Sequence, residues 1–208
     1  MNLARAERRG ICDTFLQVGP DAPTLCGDWS AYDLAAHLWV RENEFQYIAN
    51  ILASRGSQAH LRMDAAKSRH PFPALVEAIR TGPAGFSPYR LPGVDSRANA
   101  IEFFIHHEDV RRGGPDPLPP RDLGDDTEAQ LWTLLKRMSG LFFRKSPFGV
   151  DLQTPDGLIL PVKKRRKLTV IGRPSELLLF SSGRTSVADV RIQGDPGDVM
   201  RLSSALGI

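Results

Sequence analysis

The segment SRANAIEFFIHHEDVRR, residues 96–112, has the apolar spacing of a long helix, and the Gly-Gly-Pro sequence that follows it would end that helix. Glu102 and His106 are four residues apart, so their side chains project from the same helical face. Asp109 lies at nearly the same angle, together with the apolar residues of the segment. Two carboxylates and an imidazole are therefore predicted on the face that packs into a core.

Burying an unpaired carboxylate is unfavourable, so this face needs a partner for its acidic groups. Arg41 or Arg111 would provide one in a hydrogen-bonded core network, and a metal ion would satisfy the same groups. The spacing alone leaves both interpretations open. His107 points away from this face, and we predict that it faces solvent.

A second helix is predicted from Ala31 into the 49–53 region, because Ser30 and Asp33 form a capping-box pattern in front of an apolar repeat. His37 lies among the core-type leucines of that helix and should enter the same core. One histidine from this helix and a Glu-x-x-x-His pair from the other give two imidazoles and one carboxylate. Three such ligands leave a coordination position open for water or substrate, as in catalytic zinc sites.

The predicted secondary structure changes near residue 148, from long helices to short strands mixed with short helices. Before that point, helices are predicted over 2–17, from the His-Pro pair at 70–71 to Arg80, and over about 127–144. Residues 82–93 are rich in proline and glycine and are predicted to form a loop. Short strands are predicted at 150–153, 158–162, 168–171 and 188–192, with helices at 174–180 and 198–205. The predicted fold class is α+β: an antiparallel four-helix bundle over residues 1–147, then a small α+β domain over 148–208.

Composition narrows the class of protein. With 41% hydrophobic and 25% charged residues among 208, a disordered chain is excluded, and no apolar run is long enough to cross a bilayer. The N-terminus lacks the pattern of a secretory signal, which predicts a cytoplasmic protein.

Cys12 and Cys26 are predicted to be buried or half-buried thiols. The basic run at 163–167 joins two strands, so a solvated turn is preferred to a nucleic-acid site.

Two segments of the first region resemble the mycothiol-dependent maleylpyruvate isomerase family, which belongs to the DinB-like metal-binding helical bundles. They are WSAYDLAAHL at 29–38 and EFFIHHEDVRR at 102–112. The stretches LLLFSSGR at 177–184 and VRIQGD at 190–195 are similar to the second domain of that family. The segment after His106 also looks like that of a metal-binding subgroup within it.

The resemblance implies a divalent ion, zinc or alternatively nickel, bound by His37, Glu102 and His106. It also implies mycothiol as cosubstrate, and Arg184 as a substrate-binding arginine of the second domain. The function expected is a thiol transferase or isomerase acting on a small electrophile, in which the metal activates the thiol.

Two alternatives to this function are a metal-binding or sensing module without turnover and a metal-assisted hydrolase. Arg41 is predicted to meet a substrate carboxylate or to pair with Asp109. Asp109 is predicted to orient a metal-bound histidine, or to act as the base of the hydrolase. No membrane or nucleic-acid partner is expected, and the chain is predicted to be a monomer or homodimer.

Overall fold

The computed structural model describes residues 2–44, 56–83 and 94–206, without the side chains of 56–59 and 94–98. The chain divides into two compact units, Met1–Leu118 and Pro119–Ile208. The predicted 82–93 loop and the predicted extension of the second helix lie mostly outside the described residues. Among the helices that are described, none is long and apolar enough to cross a membrane.

In the described part of the first unit, the regular elements are helices: α1 Leu3–Val18, α2 Ala31–Asn43, α3 Gly56–Arg69, α4 Phe72–Thr81 and α5 Val94–Arg112. Helix α1 packs mainly on α5, whereas α2 packs on α3 and α4. Helix α3 was not predicted, because its sequence is polar and buries only Met63 and Ala66 among its described core positions.

The start of α2 is fixed by the predicted capping box. Ser30 Oγ accepts a hydrogen bond from Asp33 N, and Asp33 Oδ2 accepts one from Ser30 N at 3.0 Å. These two bonds satisfy amide groups that the first turn would otherwise leave without partners. They also place His37 in the second turn of α2, on the side that contributes Leu34 and Leu38 to the buried core of the unit.

The second unit combines helices with a four-stranded sheet. Its elements are α6 Asp125–Phe142, β1 Gly149–Gln153, β2 Ile159–Val162, β3 Arg166–Ile171, α7 Pro174–Ser181, β4 Arg191–Gln193 and α8 Pro196–Ser203. The strand order is β2-β1-β3-β4, in which β1 pairs antiparallel with β2 and parallel with β3, and β3 pairs antiparallel with β4. The predicted α+β class is confirmed.

The compact units divide earlier in the chain than the predicted domain boundary at 147/148. Helix α6, which the sequence assigns to the bundle, packs on α7 within the second unit. The division into a helical bundle over 1–147 and an α+β domain over 148–208 therefore stays a prediction.

Residues 163–165 of the basic run form the predicted turn between β2 and β3, and the last two residues of the run begin β3. Lys163 has a positive φ of 62°, and its Nζ donates hydrogen bonds to the carbonyl oxygens of Phe143 and Ser146 at 3.1 and 2.6 Å. Lys167 pairs with Asp198 at 2.9 Å. Part of this positive charge therefore stabilises the second unit itself.

Candidate metal centre

Three side chains of the first unit converge on one carboxylate oxygen. His37 Nε2, from α2, lies 3.2 Å from Glu102 Oε1, and His106 Nε2 lies 3.3 Å from the same oxygen. The two imidazole rings meet edge to face, with their centroids 5.1 Å apart. The structure thus brings together the three predicted ligands, whose donor atoms all lie within 4.8 Å of one another.

Within the cluster, the glutamate side chain is more exposed to solvent than the two imidazoles. The side chain of Glu102 is 27% exposed, whereas those of His37 and His106 are 10% and 12% exposed. Solvent therefore reaches part of the Glu102 side chain, and this is the side from which an external molecule would approach the cluster.

The charges of the cluster follow from burial and from its hydrogen bonds. Burial would raise the pKa of Glu102, but the positive Arg41 and the hydrogen bonds of both histidines outweigh it and hold that pKa well below its usual range. Burial lowers the pKa of His37. Burial also acts to lower the pKa of His106, but its hydrogen bonds to Asp109, Cys26 and Glu102 raise it well above the ordinary value. Glu102 is therefore ionised, which is the form that binds a cation.

Asp109 lies on the other side of the His106 ring. Its carboxylate is fully buried, and its Oδ2 lies 2.8 Å from His106 Nδ1. Since a carboxylate only accepts hydrogen bonds, Nδ1 carries the proton and donates it. The same Oδ2 accepts a hydrogen bond from Cys26 Sγ at 3.1 Å. This contact is the one that the predicted orienting role of Asp109 requires.

Arg41 belongs to a buried chain of polar groups that ends at the cluster. Its Nε lies 3.4 Å from Glu102 Oε1, and its Nη1 donates to Asn99 Oδ1 at 2.5 Å. Asn99 donates in turn to Glu42, which pairs with Arg8 through two hydrogen bonds. Arg41 therefore contacts the candidate centre from a fixed position. Arg8, Glu42 and Asn99 were not among the predicted site residues, although charged residues among core positions were a signal for the first two.

The prediction that His107 faces solvent is wrong. His107 is buried, its Nδ1 lies 2.9 Å from Glu7 Oε2, and its Nε2 lies 2.9 Å from Thr14 Oγ1. The reason is that α1 covers the face of α5 opposite the metal candidates, and Gly10 leaves room there for the imidazole. A Cβ at Gly10 would lie 2.7 Å from His107 Cε1.

The remaining predicted residues lie elsewhere. Arg111 donates two hydrogen bonds to Glu108, within the last turns of α5. Arg184 lies in the second unit, where its Nη1 donates to Ser182 O at 2.8 Å. Cys12 is buried and Cys26 half-buried, as predicted. Cys26 was not among the predicted site residues, because nothing in the sequence relates it to Asp109.

The donor set fits a divalent ion. Two imidazole nitrogens and one ionised carboxylate form the ligand set of many catalytic zinc sites, and nickel accepts the same ligands. Metal-bound histidines almost always donate their second N–H to a carboxylate, a backbone carbonyl or water, and the contact between His106 and Asp109 is the first of these.

No family model matches this chain, and no protein of curated function matches it. Among solved structures, the chain is similar to a mycothiol-dependent maleylpyruvate isomerase, with a TM-score of 0.56 and 15% identity over 93% of this chain and 91% of that chain. A histidine-to-alanine variant of that isomerase gives a TM-score of 0.55 over the same shares. The chain therefore has the fold of this isomerase over nearly its whole length. The predicted fold class is confirmed, as is the resemblance at the level of the fold.

Proposed function

We propose that the chain binds one divalent metal ion through His37, Glu102 and His106 and catalyses a thiol-dependent isomerase or transferase reaction. The observation that carries this proposal is the convergence of two imidazole Nε2 atoms on one oxygen of a partly exposed carboxylate. That carboxylate already has a positively charged partner, because Arg41 Nε lies 3.4 Å from Glu102 Oε1. A core network would therefore not need both histidines, whereas a metal site needs all three groups.

Zinc is the proposed ion, with nickel as the alternative, and its three protein ligands would leave a coordination position for a thiol. Bound zinc would supply deprotonation of that thiol at neutral pH, where an unbound thiol with a pKa near 8.5 is mostly protonated. Mycothiol, the low-molecular-weight thiol of actinobacteria, is the proposed cosubstrate, because the isomerase with the similar fold is mycothiol-dependent.

The chain's own residues would bind and orient the reactants. The exposed part of Glu102 gives the thiol access to the ligand atoms. Arg41, held by Asn99 at 2.5 Å, presents a fixed positive charge beside the site and would bind an anionic group of the electrophilic substrate. In an isomerase, the thiolate would add to a conjugated double bond, allow rotation about it and leave again. In a transferase, it would displace a leaving group or open an epoxide.

Several predictions from the sequence belong to the same proposal. Arg184 would bind substrate, as the resemblance implies. An actinobacterial host, a cytoplasmic location and a monomeric or homodimeric state complete it.

The hydrolase alternative is less well supported by the geometry. Its base would be Asp109, but this carboxylate is fully buried and accepts hydrogen bonds from both His106 and Cys26 through Oδ2. A carboxylate in that position is poorly placed to take a proton from water. A metal-binding or sensing module without turnover differs from the enzyme in having no affinity for the thiol at the metal.

The first experiment measures metal content in protein purified without a histidine tag. We expect about one equivalent of zinc or nickel in the wild type and little in His106→Ala. His107→Ala is the matched control, because it removes the neighbouring imidazole on the opposite face and should retain the metal. A folded wild type that is metal-free and does not bind added zinc would contradict the proposal and favour the core network.

The second experiment asks whether the thiol reaches the metal. Mycothiol is titrated into the cobalt-substituted protein, and we expect a sulfur-to-cobalt charge-transfer band. S-methyl mycothiol is the control, because a thioether has no proton to lose and should give no such band. Metal binding without any response to mycothiol would contradict the enzyme and favour the binding or sensing module.

A further inference from the structure

Residues 22–30, the 22–30 loop, form a defined turn rather than a loose connection between α1 and α2. Thr24 Oγ1 donates to Trp29 O at 2.8 Å and accepts from Cys26 N at 3.1 Å. Trp29 N donates to Cys26 O at 3.3 Å, so three residues bond to one another across the loop. The position of the Cys26 thiol is therefore set by the backbone of a closed turn.

The loop is also attached to the last turn of α5. Leu25 N donates to Asp109 O at 3.1 Å. Gly113, just beyond the helix, allows the closest approach, because a Cβ there would lie only 2.4 Å from Thr24 Cα. The loop can therefore contact the end of α5 only if a residue without a side chain follows the helix.

This attachment brings Cys26 to the Nδ1 side of His106. Cys26 Sγ donates to Asp109 Oδ2 at 3.1 Å, and that oxygen also accepts the hydrogen bond from His106 Nδ1 at 2.8 Å. The distance between Cys26 Sγ and His106 Nδ1 is 3.7 Å. One buried oxygen thus receives two donors, which restricts the rotation of the carboxylate more than one donor would.

We propose that Cys26 is a positioning residue of the metal site. Its thiol holds Asp109 Oδ2 in place, and Asp109 holds the His106 ring so that Nε2 is directed at Glu102. The inference rests on the proposed function, since it requires a metal ion at Nε2. Without the thiol, Asp109 has one donor fewer, the imidazole is less firmly oriented, and metal affinity falls.

A direct role for Cys26 as a metal ligand is the competing interpretation. Cys26, His106 and Asp109 also form a group whose donor atoms lie within 4.8 Å of one another. A metal ion in that group would replace the proton that His106 Nδ1 donates to Asp109 and the one that Cys26 donates to the same carboxylate. The same holds for the hydrogen bonds to Glu102, so burial is what distinguishes the two groups: Asp109 is fully buried, whereas the Glu102 side chain is 27% exposed and more open to an entering ion. This difference favours the positioning role, and a sulfur signal at the metal tests it.

The test compares zinc dissociation constants of wild type, Cys26→Ala, Cys26→Ser and Cys12→Ala, measured by competition with a chromophoric chelator. We expect roughly tenfold weaker binding in Cys26→Ala, in the range found when outer partners of metal ligands are lost. Cys26→Ser should recover most of the affinity, because its hydroxyl can donate to the same oxygen. Cys12→Ala is the matched control, since Cys12 is a buried thiol that donates to Val76 O. It should bind as the wild type does.

Cobalt substitution in the absence of added thiol completes the test. We expect no sulfur-to-cobalt band in the wild type. A band that disappears in Cys26→Ala would overturn the positioning role, because Cys26 would then be a ligand.

Equal zinc affinity in Cys26→Ala and wild type would overturn the inference while leaving the proposed function intact. A wild type that binds no zinc would overturn both. If Cys26→Ala does not fold, alkylation of Cys26 with iodoacetamide in the folded Cys12→Ala background gives the same comparison. Unchanged zinc affinity after complete alkylation would then overturn the inference.

Discussion

The two faces of α5 use adjacent histidines in different ways. On one face, His106 lies between Asp109 and Glu102, and His37 from α2 reaches the same Glu102 oxygen. On the other face, His107 lies between Glu7 and Thr14 of α1, in a fully covered position. Each histidine contacts a carboxylate, but only the first face combines a second imidazole with access from solvent.

The difference separates a candidate binding site from a structural contact. Around His107 both ring nitrogens have partners, and the ring is closely packed next to Gly10. Around His106 the Nδ1 side is similarly closed by Asp109, whereas the Nε2 side meets a carboxylate that is 27% exposed. The contact between His106 Nδ1 and Asp109 is of the kind that metal-bound histidines make through the ring nitrogen that does not bind the metal.

The largest expected effect is on the first face. Removing a ligand by His37→Ala or Glu102→Ala should weaken zinc binding by more than roughly 100-fold, because the loss of outer partners alone costs 10- to 100-fold. Chelator competition measures this change, and circular dichroism checks that the variants fold. Wild-type affinity in either variant would mean that the convergence on Glu102 is only a core network.

The corresponding change on the second face should affect stability instead. His107→Ala leaves the buried Glu7 carboxylate without its imidazole partner, and we expect a loss of about 3 kcal/mol in the free energy of unfolding. Urea denaturation measures that loss, while the zinc dissociation constant should stay within about twofold of wild type. If His107→Ala weakened zinc binding as much as Glu102→Ala, the metal site would involve the second face, contrary to this account.

A smaller effect on zinc affinity is expected from changing Asp109, the hydrogen-bond partner of His106 Nδ1. Asp109→Asn keeps the size of the side chain but removes the charge, so the hydrogen bond to Nδ1 weakens and either end of the amide can face it. Zinc binding should become roughly tenfold weaker without loss of stoichiometry. Calorimetric titration gives both quantities. An unchanged dissociation constant would mean that the fold alone orients His106.

The smallest expected effect tests the packing of the second face. Gly10→Ala would bring a methyl group into contact with the His107 ring, and overpacking of this kind costs about 1–3 kcal/mol, partly offset by the higher helix propensity of alanine. We expect a net loss of about 1 kcal/mol in urea denaturation, with zinc affinity unchanged. A stability gain would show that the ring moves aside without cost.

The sequence predicted the first face better than the second for a physical reason. The i,i+4 spacing of Glu102 and His106 fixes their common face whatever the helix packs against, and the capping box at Ser30 fixes the phase of α2. The burial of His107 depends instead on which helix covers it. The signal was in α1, where Glu7 falls between the core residues Leu3 and Ile11, but a buried glutamate does not identify its partner.

The contact between Cys26 and Asp109 was beyond prediction for a similar reason. It depends on the closure of the 22–30 loop and on its attachment at Gly113, which join residues more than 80 positions apart in the chain. Helix α3 was missed because its polar sequence has a weak apolar repeat. Local periodicity thus identified the three side chains that meet at Glu102, while the groups that hold them in place depend on tertiary packing.

The most direct measurement is anomalous X-ray diffraction at the zinc absorption edge, on crystals of the zinc-loaded wild type. We expect one strong anomalous peak bonded to His37 Nε2, His106 Nε2 and a Glu102 carboxylate oxygen, with Zn–N distances of about 2.0–2.1 Å. Two results would contradict the proposal that His37, Glu102 and His106 bind the metal. One is a peak between Cys26 and His106 Nδ1, and the other is the absence of a peak at this cluster in zinc-loaded crystals.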